Sequence, residues 1–158
     1  MRRVVVTGLG IVSPLGTGVD AFWNRVKDGS NGIRQITHFD AGELACQIAG
    51  EVPSKAEDEH GFDVDAVMDP REQRRSDRFI HFAMGAVQEA LAHAGWEPKS
   101  DRDKERTGTI IATGFGGFPA MTAGTRLVDE KGPRRASPFL VPSLLANLAA
   151  GQVSIRHG

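Results

Sequence analysis

The stretch from Asp69 to Gly95 constrains the fold more than any other part of the chain. Asp69-Pro70-Arg71-Glu72 announces a helix, because Asp69 can accept from free backbone N–H groups, Pro70 suits the first helical position and Glu72 closes a capping box. The longest helix follows, from about Ser76 to Ala94. Its apolar residues Ile80, Met84, Val87 and Leu91 fall at i, i+4, i+7 and i+11, and Gly95 ends it. One apolar stripe of that length has to be covered by other elements.

The rest of the chain supplies them. Val4-Val5-Val6 is β-branched and continuous, bounded by Gly8 and Gly10, and reads as a buried strand. Ser13-Pro14-Leu15-Gly16 is a loop, and Thr17-Gly18-Val19-Asp20 offers a capping-box-like start to a short helix carrying Phe22, Trp23 and Val26 and stopping near Gly29. Ser30 to Ala41 reads as loop, and 44–52 as a half-buried strand with Leu44, Cys46, Ile48 and Val52 on one face. The acidic stretch 53–68 is expected to be an exposed or partly disordered loop, and 97–106 a charged loop. Thr109-Ile110-Ile111-Ala112 is a second buried strand, opening into Thr113-Gly114-Phe115-Gly116-Gly117. A helix after Pro119 runs to about Lys131, where Gly132-Pro133 stops it; a last helix begins near Pro142 and carries Leu144, Leu145, Leu148 and Val153. Strands alternating with helices indicate an α/β layer architecture. About three strands for so much apolar helix surface, and an ending at Ile155-Arg156-His157-Gly158 without a polar tail, read as part of a larger fold.

Composition removes several function classes. The chain has 158 residues, enough for one domain with a core, and its net charge of −1 makes the whole chain no obvious nucleic-acid or membrane binder, local patches aside. A single cysteine excludes an intrachain disulfide and a cysteine-rich metal site. Arg2-Arg3 precedes an apolar run that breaks at Thr7-Gly8, too short for a signal peptide or a span, so a cytoplasmic location is expected.

Two glycine-rich turns follow expected strands, and neither holds a nucleotide. In Val6-Thr7-Gly8-Leu9-Gly10 the third glycine of a dinucleotide fingerprint falls at Ser13, followed by Pro14, which would disturb the helix that must carry the pyrophosphate. Thr113 to Gly117 lacks the Lys-Ser/Thr pair of a phosphate loop; its glycines fit a tight turn or close approach to a substrate chain, with Phe115 either core or the wall of an apolar tunnel. Cys46, on the apolar face of its strand, reads as a buried structural cysteine, and the five histidines show no metal-ligand spacing. Arginine is the concentrated residue. On a continuous helix Arg71, Arg74, Arg75 and Arg78 make one basic stripe, and Arg134-Arg135 follow the Gly132-Pro133 stop, a pattern suited either to a solvated face or to a carboxylate- or phosphate-bearing partner.

Several of these segments together resemble the β-ketoacyl-acyl-carrier-protein synthases. Val5-Val6-Thr7-Gly8-Leu9-Gly10 with Ser13-Pro14-Leu15-Gly16 is similar to their N-terminal signature, as are Gly29-Ser30-Asn31-Gly32-Ile33 and His38-Phe39-Asp40. Glu72-Gln73-Arg74-Arg75-Ser76-Asp77 resembles the family's basic docking helix, and Gly132 to Phe139 and Gly151-Gln152-Val153-Ser154-Ile155 its later motifs. The match runs in order along nearly the whole chain, and the elongating synthase of the dissociated bacterial pathway is the most similar type.

The resemblance implies a thiolase-like fold of two α/β halves, only the N-terminal part of which is present, and a homodimer for the complete protein. It implies a decarboxylative Claisen condensation of an acyl thioester with malonyl-acyl carrier protein, carried by a cysteine, two histidines and a lysine that lie beyond Gly158, so this chain alone is expected to be inactive. It implies no cofactor and no metal. Arg71, Arg74 and Arg75, and likewise Arg134 and Arg135, match positions that bind acidic acyl carrier protein. Phe115 falls where the family has a small or branched residue gating the acyl pocket, and Leu140 at a commonly aromatic position near it. A polyketide ketosynthase, a catalytically silent chain-length partner and a non-enzymatic carrier-protein-binding module are the alternative readings.

Overall fold

A computed structural model describes residues 2–158. Its elements run β1 (Val12–Ser13), β2 (Gly16–Thr17), α1 (Val19–Lys27), β3 (Ile33–Gln35), β4 (Ile48–Gly50), α2 (Pro70–Gln73), α3 (Arg78–Ala94), α4 (Asp101–Glu105), α5 (Phe118–Lys131), a 3-10 turn at Pro133–Arg135, α6 (Leu140–Leu144) and α7 (Leu148–His157). The core sits where α7 packs on α3. Ile80 and Met84 from α3 meet Ala149 and Val153 from α7, with Met68 closing one end and Val67, Phe79, Val87, Ile111 and Leu148 around them. The expected apolar stripe is thus the central surface of the molecule. The helix ends where expected: Gly95 adopts a left-handed φ of 60°, and the Gly95 and Trp96 amides donate back to the Ala92 and Leu91 carbonyls.

The sheets are small: β1 pairs with β2 and β3 with β4, each antiparallel. Neither expected buried strand forms. Val4, Val5 and Val6 are 95%, 74% and 80% exposed, and Ile110 is 98% exposed. Both segments instead lie along α3. A Cβ on Gly8 would sit 2.2 Å from the Ala90 carbonyl oxygen, and one on Gly10 1.9 Å from that of Ala86, so only glycine permits this approach. Residues 107–111 line a groove with Val87, Ala90 and Leu91 of the same helix. A continuous apolar strand needs neighbours on both edges and cover on both faces, and among the described residues no strand pairs with either segment.

Other expectations are corrected too. The half-buried strand over 44–52 shortens to β4, because residues 41–47 turn back on themselves: the Leu44 amide donates to the Ala41 carbonyl, and the Gln47 side chain to the Gly42 carbonyl. Cys46, expected buried, is exposed. The loop 30–41 contains β3. The acidic stretch 53–68 is ordered: Arg25 donates to both oxygens of Asp58 at 2.7 and 2.8 Å, and Phe62 and Met68 are buried, Phe62 with its ring edge-on to Phe82 at 5.1 Å. Asp58 is held at a pKa of about 2 by the Arg25 hydrogen bonds and the His60 amide. The charged loop 97–106 contains α4, closed by a Ser100–Asp103 capping box. The expected last helix splits into α6 and α7 at Leu145–Asn147. Helix α1 has no cap of its own at Gly18; Glu89 of α3 supplies one, accepting from the Val19 amide at 2.7 Å and the Ile11 amide at 2.8 Å.

Candidate functional site

The arginine cluster is built on a break between helices. Asp69 caps α2, accepting from the Glu72 and Arg71 amides, which hold its carboxyl below the ordinary carboxylate range. Glu72 does not complete the expected box; its carboxylate takes Arg156 of α7 at 2.7 Å. The helix stops at Gln73, whose amide donates to the Met68 carbonyl and to Asp65, and α3 begins only after Asp77. The arginines therefore do not form one continuous helical stripe. Arg78 turns inward, donating to the Val52 carbonyl at 2.7 Å and lying over the Phe82 ring at 5.0 Å. Arg71, Arg74 and Arg75 remain exposed. Leaving out Arg78, these three are the basic surface.

The second basic segment comes close through one contact. Arg134 and Arg135 are exposed on the 3-10 turn that follows α5. The chain then passes to Phe139, whose ring lies 4.5 Å under the Arg75 guanidinium. Arg74 lines a groove with Ser137, Phe139 and Leu140 on one side and Ala123, Gly124 and Leu127 of α5 on the other. The turn carrying Arg134 and Arg135 packs on α5, the helix whose Ala123, Gly124 and Leu127 line the groove that Arg74 borders.

The two residues assigned to an acyl pocket are not brought into one cavity. Leu140 packs its branches against Gly124 and lines grooves between α5 and α6. Phe115, before the N-terminus of α5, is 83% exposed and meets Phe118 edge-on at 6.0 Å. The glycine turn beside it is held by the Gly117 amide donating to the Leu144 carbonyl at 2.9 Å and by Gly116 donating to Thr113 Oγ1 at 3.1 Å. Phe115, Phe118 and Met121 stand exposed at this end of α5.

The remaining chemistry-bearing side chains have structural partners. His81 lies 3.1 Å from Ser76 Oγ, and burial pushes its imidazole pKa down. His93 Nδ1 accepts from the Leu9 amide at 3.1 Å. Cys46 Sγ is 3.5 Å from the Ile48 carbonyl oxygen, with no histidine partner among its hydrogen bonds in the described residues. No group of three His, Cys, Asp or Glu side chains that could hold a metal occurs among the described residues, and no helix there is long and apolar enough to cross a membrane.

The fold belongs to the class of the thiolase-like ketosynthases. The chain superposes on a β-ketoacyl synthase from Burkholderia phymatum STM815 with a TM-score of 0.77 at 25% identity, covering 98% of this chain and 36% of that one. It superposes on an ishigamide ketosynthase/chain length factor with a TM-score of 0.75 at 25% identity, covering 99% and 37%. In sequence it is 48% identical to a 3-oxoacyl-[acyl-carrier-protein] synthase 2 of Rhizobium meliloti (strain 1021), over 99% of this chain and 37% of that protein. The family model for the N-terminal domain of β-ketoacyl synthases matches residues 1–158, and the chain belongs to that family. It spans a little over a third of the length of the curated relatives it matches.

Proposed function

We propose that this chain supplies the carrier-protein docking surface and part of the acyl-pocket wall of an elongating 3-oxoacyl-acyl-carrier-protein synthase. The observation that carries the reading is that exposed Arg71, Arg74 and Arg75 lie beside a groove of α5 and that the exposed Arg134–Arg135 turn packs on the same helix, in a chain whose net charge is −1. Exposed guanidinium groups suit the carboxylate-rich surface of an acyl carrier protein. Identities of 48% and 38% to two curated 3-oxoacyl-[acyl-carrier-protein] synthases 2 favour the fatty-acid elongation reading.

In the complete enzyme an acyl chain passes from carrier protein to a cysteine, and malonyl-carrier protein is decarboxylated and attacks the thioester. Such a cysteine needs a base or a helix N-terminus to make it nucleophilic. Cys46, exposed in the turn before β4, has neither, so the chain alone forms no β-ketoacyl product from acyl- and malonyl-carrier protein. Turnover above a blank in that incubation overturns this part. A cytoplasmic homodimer acting on acyl and malonyl thioesters is the setting we propose, with Phe115 and Leu140 shaping the acyl pocket there.

The docking surface is tested by reversing Arg74 and Arg75 to Glu and measuring acyl-carrier-protein binding by surface plasmon resonance. Rim charges mainly steer association and are screened by salt. The pair is expected to lose roughly 1–3 kcal/mol at low salt, the scale of hydrogen bonds to charged groups, and the salt dependence is expected to flatten. Equal affinity of wild type and variant, with the fold confirmed by circular dichroism, leaves a merely solvated face.

A further inference from the structure

Asp77 belongs to neither the docking surface nor the pocket, yet it bonds the first turn of α3, just after the arginine segment, to the first turn of α5. It is a buried carboxylic side chain, 9% exposed, and its two oxygens serve two helices. Oδ1 accepts from the Arg78 amide at 2.5 Å and so caps α3; Oδ2 accepts from the Ala120 amide at 2.8 Å, in the first turn of α5. That second bond fills a specific need. At the start of α5 the Phe118 amide donates to Gly116 and the Met121 amide to Gly117, while Pro119 has no N–H. Gly117, the α5 cap residue, has no side chain to offer, which leaves Ala120 to be satisfied from elsewhere. The acceptor comes from 43 residues earlier in the chain, whereas an ordinary helix cap is its immediate neighbour.

The position of Asp77 gives this bond a consequence. Arg74 and Arg75 lie just before it on the break between α2 and α3, and Phe115 and Phe118 lie at the end of α5 that it holds. A second link runs from the same arginine segment, through Arg75 on Phe139 and Leu140 against Gly124, to the middle of α5. The α5 N-terminus is therefore tied to the arginine segment by a short hydrogen bond, which weakens steeply with distance and angle. A shift of the 74–76 segment either carries the α5 N-terminus with it or breaks that bond.

We propose that Asp77 is a positioning residue that couples occupation of the arginine surface by an acidic carrier protein to the placement of the α5 N-terminus and Phe115. The proposal rests on the docking and pocket reading above.

The test uses the isotopically labelled full chain, titrated with the acyl carrier protein of Rhizobium meliloti and followed by amide NMR. In wild type, the amides of Arg71, Glu72, Gln73, Arg74 and Arg75 and those from Gly116 to Ala120, Pro119 aside, are expected to shift along one saturation curve. Asp77→Ser keeps a short cap for α3 but cannot reach Ala120. Asp77→Thr offers the same short hydroxyl cap for α3 and likewise cannot reach Ala120; it serves as the decisive variant if the serine form does not fold. In either variant the arginine-segment amides are expected to shift with an affinity within about twofold of wild type, because the exposed arginines themselves are unchanged, while the Gly116–Ala120 shifts are lost. A role confined to helix stability would leave those shifts in place. Shifts at Gly116–Ala120 that persist in the variants, or wild-type shifts confined to the arginine segment, overturn the coupling while the docking reading stands. No shift in the arginine segment overturns both.

Discussion

Ile80 and Ile110 are the same side chain with opposite fates, 0% and 98% exposed. Both sit in apolar runs, one within α3 and one lining a groove against that helix. The difference is in what each backbone requires. A helix satisfies its own hydrogen bonds and needs a partner for one stripe only, which α7 and Met68 provide for Ile80 and Met84. An extended segment needs other strands along its edges and a second layer above it, and Val4 to Val6 and Thr109 to Ala112 have one layer, α3, and no ladder. Apolar sequence marks where cover is needed; the partner decides whether it is met.

The contrast can be tested by removing atoms on each side of it. Ile80→Ala or Met84→Ala is expected to destabilise the chain by about 2–5 kcal/mol in urea unfolding, the range for emptying a filled core site. A cost under about 1 kcal/mol would mean that the α3–α7 interface is not the centre of stability. Glu89→Ala removes the acceptor for two backbone amides that join α1 and the glycine segment to α3. It is expected to cost about 1–2 kcal/mol, as for a lost cap, and to raise hydrogen exchange at Ile11 and Val19 first; uniform exchange across the chain would reject the link.

The Arg25–Asp58 pair gives a smaller effect with a definite pH window. The folded carboxyl titrates at about 2, below its ordinary 3.8, so its contribution is full above pH 3.8 and is lost as pH falls through about 2. Asp58→Asn is therefore expected to lower stability at pH 6 and to leave it nearly unchanged below pH 2. An equal deficit at both would mean that packing, not charge, sets the effect. The smallest changes are expected on the exposed side: Ile110→Ala and Val5→Ala should each stay within about 0.5 kcal/mol. Cys46 is expected to react with iodoacetamide in the native chain nearly as fast as after unfolding, because it is exposed. Strong protection would return it to the interior.

Helix α3 was nearly legible from its spacing: the pattern spans about 76–94 and the helix runs 78–94. Gly95 and Gly132-Pro133 marked real ends, and Asp69 is the cap it was expected to be. These features are local, set by period, side-chain length and the conformational limits of glycine and proline. The basic character of residues 71–75 and 134–135 was equally plain. Their arrangement was not. A continuous stripe was the natural reading of Arg71 to Arg78, but Asp77 and the inward turn of Arg78 onto Phe82 and Val52 divide it. The Ser100–Asp103 box is a weak signal in the sequence, because Asp stands where Glu or Gln usually marks such a box.

Sequence alone therefore determined where α1, α3 and α5 run, where arginine is concentrated and which runs are apolar, since each depends on neighbours a few residues away. Tertiary structure alone decided that Cys46 is open, that Asp58 is paired, that Arg75 rests on Phe139 and that Asp77 reaches Ala120. Each of these is a contact, or a missing contact, between groups distant in the chain. No period or propensity encodes which surface will be found opposite, because that depends on how all the helices pack at once.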